Sequence, residues 1–372
     1  MSPASDTPPA PLGLRRLSRL GLAIVVVGAL VQLVLAVYYL AMAHAPSPHD
    51  LPVGVVGSAE QQARAAQLEE DGEFVVEAYD SPDALRQAIR EREAYGGVAF
   101  SESGPTLYVA TAASPSVANL FRAEYTRLHQ DEVDRQVRAY AEVGQPVPVE
   151  TLAALSAQPP VTDVVPLPED DSAGSSLGFV IQALCLGGSI ASLALGRLRG
   201  LTDRSALRGL GHAALLVAYA VASSAVALLA MALFGVGDGA ETLTLFWGLT
   251  LISLAVTAST AACVALVGPA GSLVGGLYFT IGLIISGTSI APEMLPPLGR
   301  TVGQLLPPGA GASVARDALY FPDAATGAAF AVLAAYAVGG LLVVLASNAA
   351  ANRTRSTRLL HRDRGAGDAQ PA

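Results

Sequence analysis

Apolar residues in this chain gather into six runs, separated by polar segments of very unequal length. The first run is LGLAIVVVGALVQLVLAVYYLAMA, from Leu20 to about Ala43. About 130 more polar residues follow, and then five further runs through roughly 175–196, 211–234, 243–267, 272–290 and 325–347. Each holds about 19 to 25 mostly apolar residues, and at about 1.5 Å of rise per residue that length crosses a hydrocarbon core of about 30 Å. No Asp, Glu or Arg interrupts the interior of any run. The pattern predicts an α-helical polytopic membrane protein with six transmembrane helices and a small α/β external domain inserted between helices 1 and 2. The predicted divisions are an N-terminal segment (1–19), helix 1 (20–43), the external domain (44–172) and a five-helix domain (173–348). A basic tail (349–372) is expected to be disordered.

Within 44–172 the periodicity changes from that of membrane helices to short alternating elements. VGVVG (Val53–Gly57) reads as a buried strand, and QQARAAQLEEDG as a helix ending at Gly72. FVVEAY (Phe74–Tyr79) is a second strand. Ser81-Pro82 starts the helix DALRQAIRER, which has Leu85, Ala88 and Ile89 on one face. YGGVAF (Tyr95–Phe100) and TLYVA (Thr106–Ala110) follow as strands. A longer helix is predicted from about Pro115 to Val143. The Pro-rich, acidic stretch VTDVVPLPEDDSAGSS then returns the chain to the membrane.

Charge orients this layout. The chain is 52% hydrophobic and 14% charged with net charge −9, and its mean hydropathy is +0.47. Between His44 and Ser172 lie 22 acidic and 8 basic residues, so the external segment alone carries −14. Arginines flank the membrane elsewhere: Arg15, Arg16 and Arg19 before the first run, Arg197, Arg199, Arg204 and Arg208 between the second and third, and Arg353, Arg355, Arg358, Arg362 and Arg364 after the last. Arginine near span ends stays in the cytoplasm, which puts both termini inside the plasma membrane and the acidic domain outside. The first run starts with arginines and ends near Ala43–Ala45, which could pass for a signal-peptide cleavage site. Its apolar stretch is too long for a typical signal core, and it reads as an uncleaved anchor.

All 22 basic residues are arginine. A P-loop needs a lysine on the nucleotide phosphates and a Schiff-base enzyme needs a lysine amine, so this chain is not expected to hydrolyse ATP itself. Cys185 and Cys263 sit inside apolar runs and read as small packing residues. Pro46 and Pro48 prevent His44, His49 and Asp50 from sharing one helical face, and no metal site is expected. No Gly-x-Ser-x-Gly elbow or His-Glu-x-x-His pair occurs. The chain is read as a non-enzyme with no cofactor of its own and no nucleic-acid partner.

The membrane runs are rich in small and hydroxyl residues, among them Gly187, Gly188, Ser189, Ser192, Ser223, Ser224, Gly271 and Gly275, which permit close helix approach. Gln32 and Gln182 are isolated amides that either bond across helices or line a polar path. Two connections stand out. GRLRGLTDRSALRGLG (Gly196–Gly211) carries four arginines, and Thr202 or Asp203 could cap a short helix in it. The loop before the last run, at about 291–321, is Pro-rich and unusually apolar, with Leu298, Val302, Leu305 and Leu306 at helical spacing and Val314, Ala318 and Leu319 in a second short helix. It reads as a helical hairpin in, or re-entering, the outer leaflet.

One span followed by an external domain and five spans also occurs in proton-driven exporters of the resistance-nodulation-division family. Those place acidic residues mid-membrane, which this chain lacks. The chain more closely resembles permease subunits of ABC-2 type transporters, in particular the phage-infection-protein-like branch. The resemblance is carried by LPVGVVG after the first span, by DALRQAIREREAYGGVAF, and by PEMLPPLGRTVGQLLPPGAGASVARDALYF before the last span. It implies export of a hydrophobic or amphipathic substrate, driven by ATP and Mg bound on a separate ABC ATPase, with two permease copies pairing as a homo- or heterodimer. It assigns docking on the ATPase to the loop holding Arg197, Arg199, Thr202, Asp203, Arg204 and Arg208, and an interfacial helix to residues around Leu14–Leu20. Glu293, Pro296, Arg300 and Pro307 would lie near the external exit. A non-transporting anchor or secretion accessory and a proton-driven exporter are the alternatives. Arg204→Glu combined with Arg208→Glu is predicted to abolish ATPase association in pull-downs while leaving membrane insertion intact; unchanged association removes this loop from the mechanism.

Overall fold

The computed structural model describes the backbone of residues 14–44, 46–69, 72–101, 104–142, 144–149, 151, 160–200 and 206–367. The chain forms two compact units, residues 1–45 and 46–372. Helix α1 (Leu14–Ala43) constitutes the first.

The second unit begins with the α/β domain. Strands β1 (Leu51–Val56), β2 (Phe74–Ala78), β3 (Gly96–Ser101), β4 (Gly104–Val109) and β5 (Val161–Asp163) form one sheet in the order β2-β1-β3-β4-β5. The β1–β2, β1–β3 and β4–β5 pairs are parallel, and β3–β4 is an antiparallel hairpin. Helices α2 (Ala59–Ala66) and α3 (Pro82–Arg90) make the crossovers. Each starts at a serine for a local reason. Ser58 and Gln61 form a reciprocal capping box, and Ser81 Oγ accepts from Ala84 N at 3.1 Å with Pro82 at the first helical position. Leu85, Ala88 and Ile89 of α3 are buried against the sheet, as their spacing predicts. Helix α4 (Pro115–Glu142) packs through Val117, Ala118 and Tyr125. The sequence reading has no counterpart to β5, because three residues carry no detectable alternation.

Five helical stretches among the described residues are long and apolar enough to cross a membrane: Gly21–Met42, Ser176–Arg197, Gly209–Leu233, Thr242–Gly282 and Gly327–Ala350. That is one fewer than the six apolar runs. The fourth stretch has 41 residues, about twice what a hydrocarbon core requires. It contains α7 (Thr242–Val267), a 3₁₀ turn at Gly268–Ser272, α8 (Leu273–Leu277) and a π-helical turn over Tyr278–Gly282. Gly268 has φ 77°, and Pro269 follows it. A Cβ placed on Gly271 would lie 2.2 Å from the Cys263 carbonyl carbon; eight residues of straight helix would separate the two by about 12 Å. Tyr278 Oη also reaches Ser259 Oγ at 3.1 Å. The chain therefore folds back on itself at Gly268.

Helix α7 is the centre of this half. It contacts α5 (Ser176–Gly200), α6 (Ala206–Leu233), α10 (Pro307–Tyr320) and α11 (Gly327–Gly367), and it is buried on nearly every side from Leu245 to Ala262. Its small and hydroxyl side chains allow this crowding, and the Ser192 hydroxyl of α5 donates to the Thr257 carbonyl at 2.8 Å. One expectation is corrected here. The run expected as a helix over 272–290 ends its helical course near Gly282, because Ser286–Thr288 turn through Gly287, whose φ is 84°. Helix α11 runs to Gly367, and its Ala- and Arg-rich end has no Gly or Pro before Gly365.

Gly340 of α11 sits so close to α7 that a Cβ would lie 2.4 Å from the Ala258 carbonyl carbon, whereas nothing lies within 4 Å of a Cβ on Gly339. Gly340→Val is expected to cost about 1–3 kcal/mol through overpacking, and Gly339→Val is the matched control. Thermal unfolding of the two purified variants measures the difference; equal unfolding temperatures would contradict the close crossing.

Candidate functional site at the junction of the α/β domain and the helical hairpin

The predicted hairpin consists of α9 (Pro297–Leu305) and α10, preceded by a 3₁₀ turn at Pro292–Met294. The two helices fit because glycines bring their backbones together: a Cβ on Gly309 would lie 2.1 Å from the Gly303 carbonyl oxygen. Leu298, Val302 and Leu305 form an exposed apolar face on α9, while α10 is buried from Pro307 to Ala312 and again at Val314–Asp317. Ala291, Met294 and Phe321 pack into the same hydrophobic cluster as Leu51, Leu85, Ile89, Tyr95 and Val117. The α/β domain and the hairpin thus share one core.

Charged side chains cross that shared core. The Arg92 guanidinium pairs with the Asp317 carboxylate and lies 5.7 Å from the centre of the Phe321 ring. Tyr95 Oη donates to Glu293 Oε2 at 2.6 Å. Arg316 is 4% exposed and donates through Nη2 to the Gly287 and Thr288 carbonyls at 2.9 and 3.0 Å. Gln304 Nε2 donates to the Ser286 carbonyl at 3.2 Å. These bonds satisfy the carbonyls exposed where the helical course ends near Gly282, which a buried chain cannot leave unpaired.

Burial governs the electrostatics. It lowers Arg316 to about 10, with the nearby Arg92 charge adding to the effect, so the guanidinium stays protonated at neutral pH. Burial raises the Asp317 carboxyl against the opposing pull of Arg92. On Arg92 burial is the largest influence and works against the charge, but Asp317, Tyr95 and Glu293 together outweigh it and the net direction is upward. Burial and then the Glu293 carboxylate push the Tyr95 phenol up, leaving it a hydrogen-bond donor.

A second contact lies beside the first. His49 N donates to the Glu293 carbonyl at 2.8 Å, and Arg300 Nη1 reaches the His49 carbonyl at 3.1 Å and Asp50 Oδ2 at 3.3 Å. Among the described residues only Asp50 (φ 50°) and Arg92 (φ 60°) are non-glycines in the left-handed region. Each is the domain's partner in one of the two cross-junction ion pairs. Such backbone costs on the order of 1–3 kcal/mol and persists where the surroundings over-determine it.

The structure brings together two of the sequence-derived exit residues, Glu293 and Arg300, through His49. Pro296 precedes α9, and Pro307 is buried at the first position of α10. Arg197 is exposed near the end of α5. Thr202, Asp203 and Arg204 lie outside the described residues; Arg199 and Arg208 belong to α5 and α6, with side chains outside the described set. Gln182 is half-buried on α5, and Gln32 lies on α1 in the other unit. Arg92, Tyr95, Arg316 and Asp317 were not anticipated. The signal available was the Arg316-Asp317 dipeptide inside the otherwise apolar GAGASVARDALY. No group of three or more His, Cys, Asp or Glu able to hold a metal occurs among the described residues.

A family model described as ABC-2 family transporter protein matches residues 20–347, and the chain belongs to that family. Membership makes it a multi-pass membrane permease of an ABC exporter and implies an ABC ATPase as its partner. No curated protein and no solved structure matches the chain.

Arg92→Met strands the buried Asp317 carboxylate and is predicted to cost about 3–5 kcal/mol; Asp317→Leu strands Arg92 at similar cost, whereas the double variant recovers most of the loss. Chemical unfolding of the three variants in detergent reads the coupling, and simple additivity would show that the pair does not link the two parts.

Proposed function

We propose that this chain is the export permease of an ABC-2 transporter that moves a hydrophobic or amphipathic substrate outward. ATP and Mg act on a separate ATPase, and two permease copies pair. The observation that carries the reading is the family match over residues 20–347. The absence of lysine from the whole chain is consistent with an engine on another subunit. In this reading the 41-residue stretch crosses the bilayer twice, giving six spans with both termini cytoplasmic. Its support is the reversal at Gly268 together with the arginine distribution. The architecture corresponds to the phage-infection-protein-like branch.

The mechanism follows from the junction. ATP-driven movement enters through the cytoplasmic loop around Arg197–Arg208, in the region between α5 and α6. Both helices pack on α7, and α7 packs on α10 of the hairpin. A shift of α7 therefore reaches α10 through direct contact. The hairpin carries the external domain with it, because Arg92–Asp317 and Asp50–Arg300 bridge the two. Glu293, Pro296, Arg300 and Pro307 sit at the moving exit. The substrate path needs no buried charge of its own, which fits an apolar cargo better than an ion.

The test is purification of the intact protein from its native membrane. Co-isolation of a Walker-motif ATPase in roughly equimolar amount is the expected result. A preparation free of any ATPase, with transport or partner binding retained, would overturn the reading in favour of an anchor or a gradient-driven exporter.

A further inference from the structure

At the end of α5 and α6 nearest the external domain lies a groove of about 620 Å³, within the roughly 300–1,000 Å³ typical of small-molecule sites. Its walls are apolar: Phe179 and Val180 from α5 face Ala227, Met231 and Phe234 from α6. Met231 is 4% exposed and forms the floor, while Phe179 and Phe234 are 65% and 80% exposed at the open side. The groove is therefore open along one flank rather than sealed by its own helices.

Its chemistry changes at one end. There the lining is Asp170, Asp171 and Tyr320, and no arginine or histidine lines any part of the groove. The acidic rim is held in place by the fold. Asp171 Oδ1 and Oδ2 accept from Ser175 N and Ser176 N at 2.9 and 3.2 Å, so this carboxylate caps α5. Asp170 stands beside it in the Glu169–Asp171 turn, exposed. Tyr320 lines the groove with Asp170 and Asp171, and burial and then the Asp171 charge raise its phenol. A slot with apolar walls and carboxylates at one end matches an elongated molecule with an apolar body and a positive end. An anionic headgroup would meet like charge with no counter-ion.

We propose that this groove binds a cationic amphiphile, with its apolar chain between α5 and α6 and its positive headgroup at Asp170 and Asp171. The inference rests on the export reading, of which it names the cargo class. The α10 residue Tyr320 lines the groove, so an occupant would touch the same helix that carries Arg316 and Asp317.

The test uses the full-length protein in nanodiscs of zwitterionic lipid. It needs neither ATP nor the ATPase, so its outcome is independent of the copurification result. Two probes carry a diazirine on a dodecyl chain, one ending in trimethylammonium and the other in carboxylate. The ammonium probe is expected to label peptides covering 176–183 and 227–236 at least about fivefold more than the carboxylate probe, the scale of one or two exposed ion pairs. Asp170→Arg should erase that preference while Asp171 keeps capping α5, and Met231→Trp should reduce capture by filling the floor. Equal labelling by both probes, labelling only elsewhere, or preference unchanged in Asp170→Arg would each overturn the proposal. So would efficient crosslinking of Phe234→Cys to Phe234→Cys of a second copy, because a protein partner would then cover the groove. If the cation is captured here while isolation from the native membrane yields no ATPase, the groove stands and the export reading falls.

Discussion

The junction of the α/β domain and the hairpin depends on one buried guanidinium. Arg316 points its donors at the Gly287 and Thr288 carbonyls, just where the chain leaves its helical course after Gly282. A helix that stops inside a packed, water-poor region leaves carbonyls whose desolvation costs several kcal/mol unless a donor reaches them. A buried cation answers that need, but it must in turn be balanced. Asp317 is adjacent, Arg92 pairs with Asp317, and Glu293 takes the Tyr95 hydroxyl. Two cations and two carboxylates thus settle a backbone problem and, in doing so, fasten the α/β domain to the hairpin.

That constraint explains why the hairpin is so apolar for a connection. Its second helix is a core element, packed on α7 on one side and joined to the α/β domain on the other, and its glycines exist to let backbones meet. It also explains where the backbone is strained. Asp50 and Arg92 hold left-handed conformations at the two points where the domain grips the hairpin. The shared core and the ion pairs supply the contacts that keep them there.

Much of this was legible in the sequence. The strands β1 to β4 and helices α2 to α4 follow from alternation, from the helix start at Ser81-Pro82, and from the α3 stripe of Leu85, Ala88 and Ile89. The two hairpin helices were also readable from Pro punctuation and apolar spacing. The junction was not, because Arg92 and Asp317 are 225 positions apart and Tyr95 and Glu293 are 198 apart. No local pattern encodes such a pairing. Hydropathy likewise carried the fifth run on to Ile290, since composition does not register that Gly287 turns the chain and that Arg316 makes the turn tolerable.

The α/β domain and the hairpin share one core and two ion pairs, and the central claim is that they behave as one body. Hydrogen–deuterium exchange on the intact protein in nanodiscs, comparing the native chain with Arg92→Met, tests it most directly. The account predicts that a substitution in the α/β domain raises exchange across α10, residues 307–320, together with the segment at 286–288. Faster exchange confined to the α/β domain, with α10 as protected as before, would contradict it.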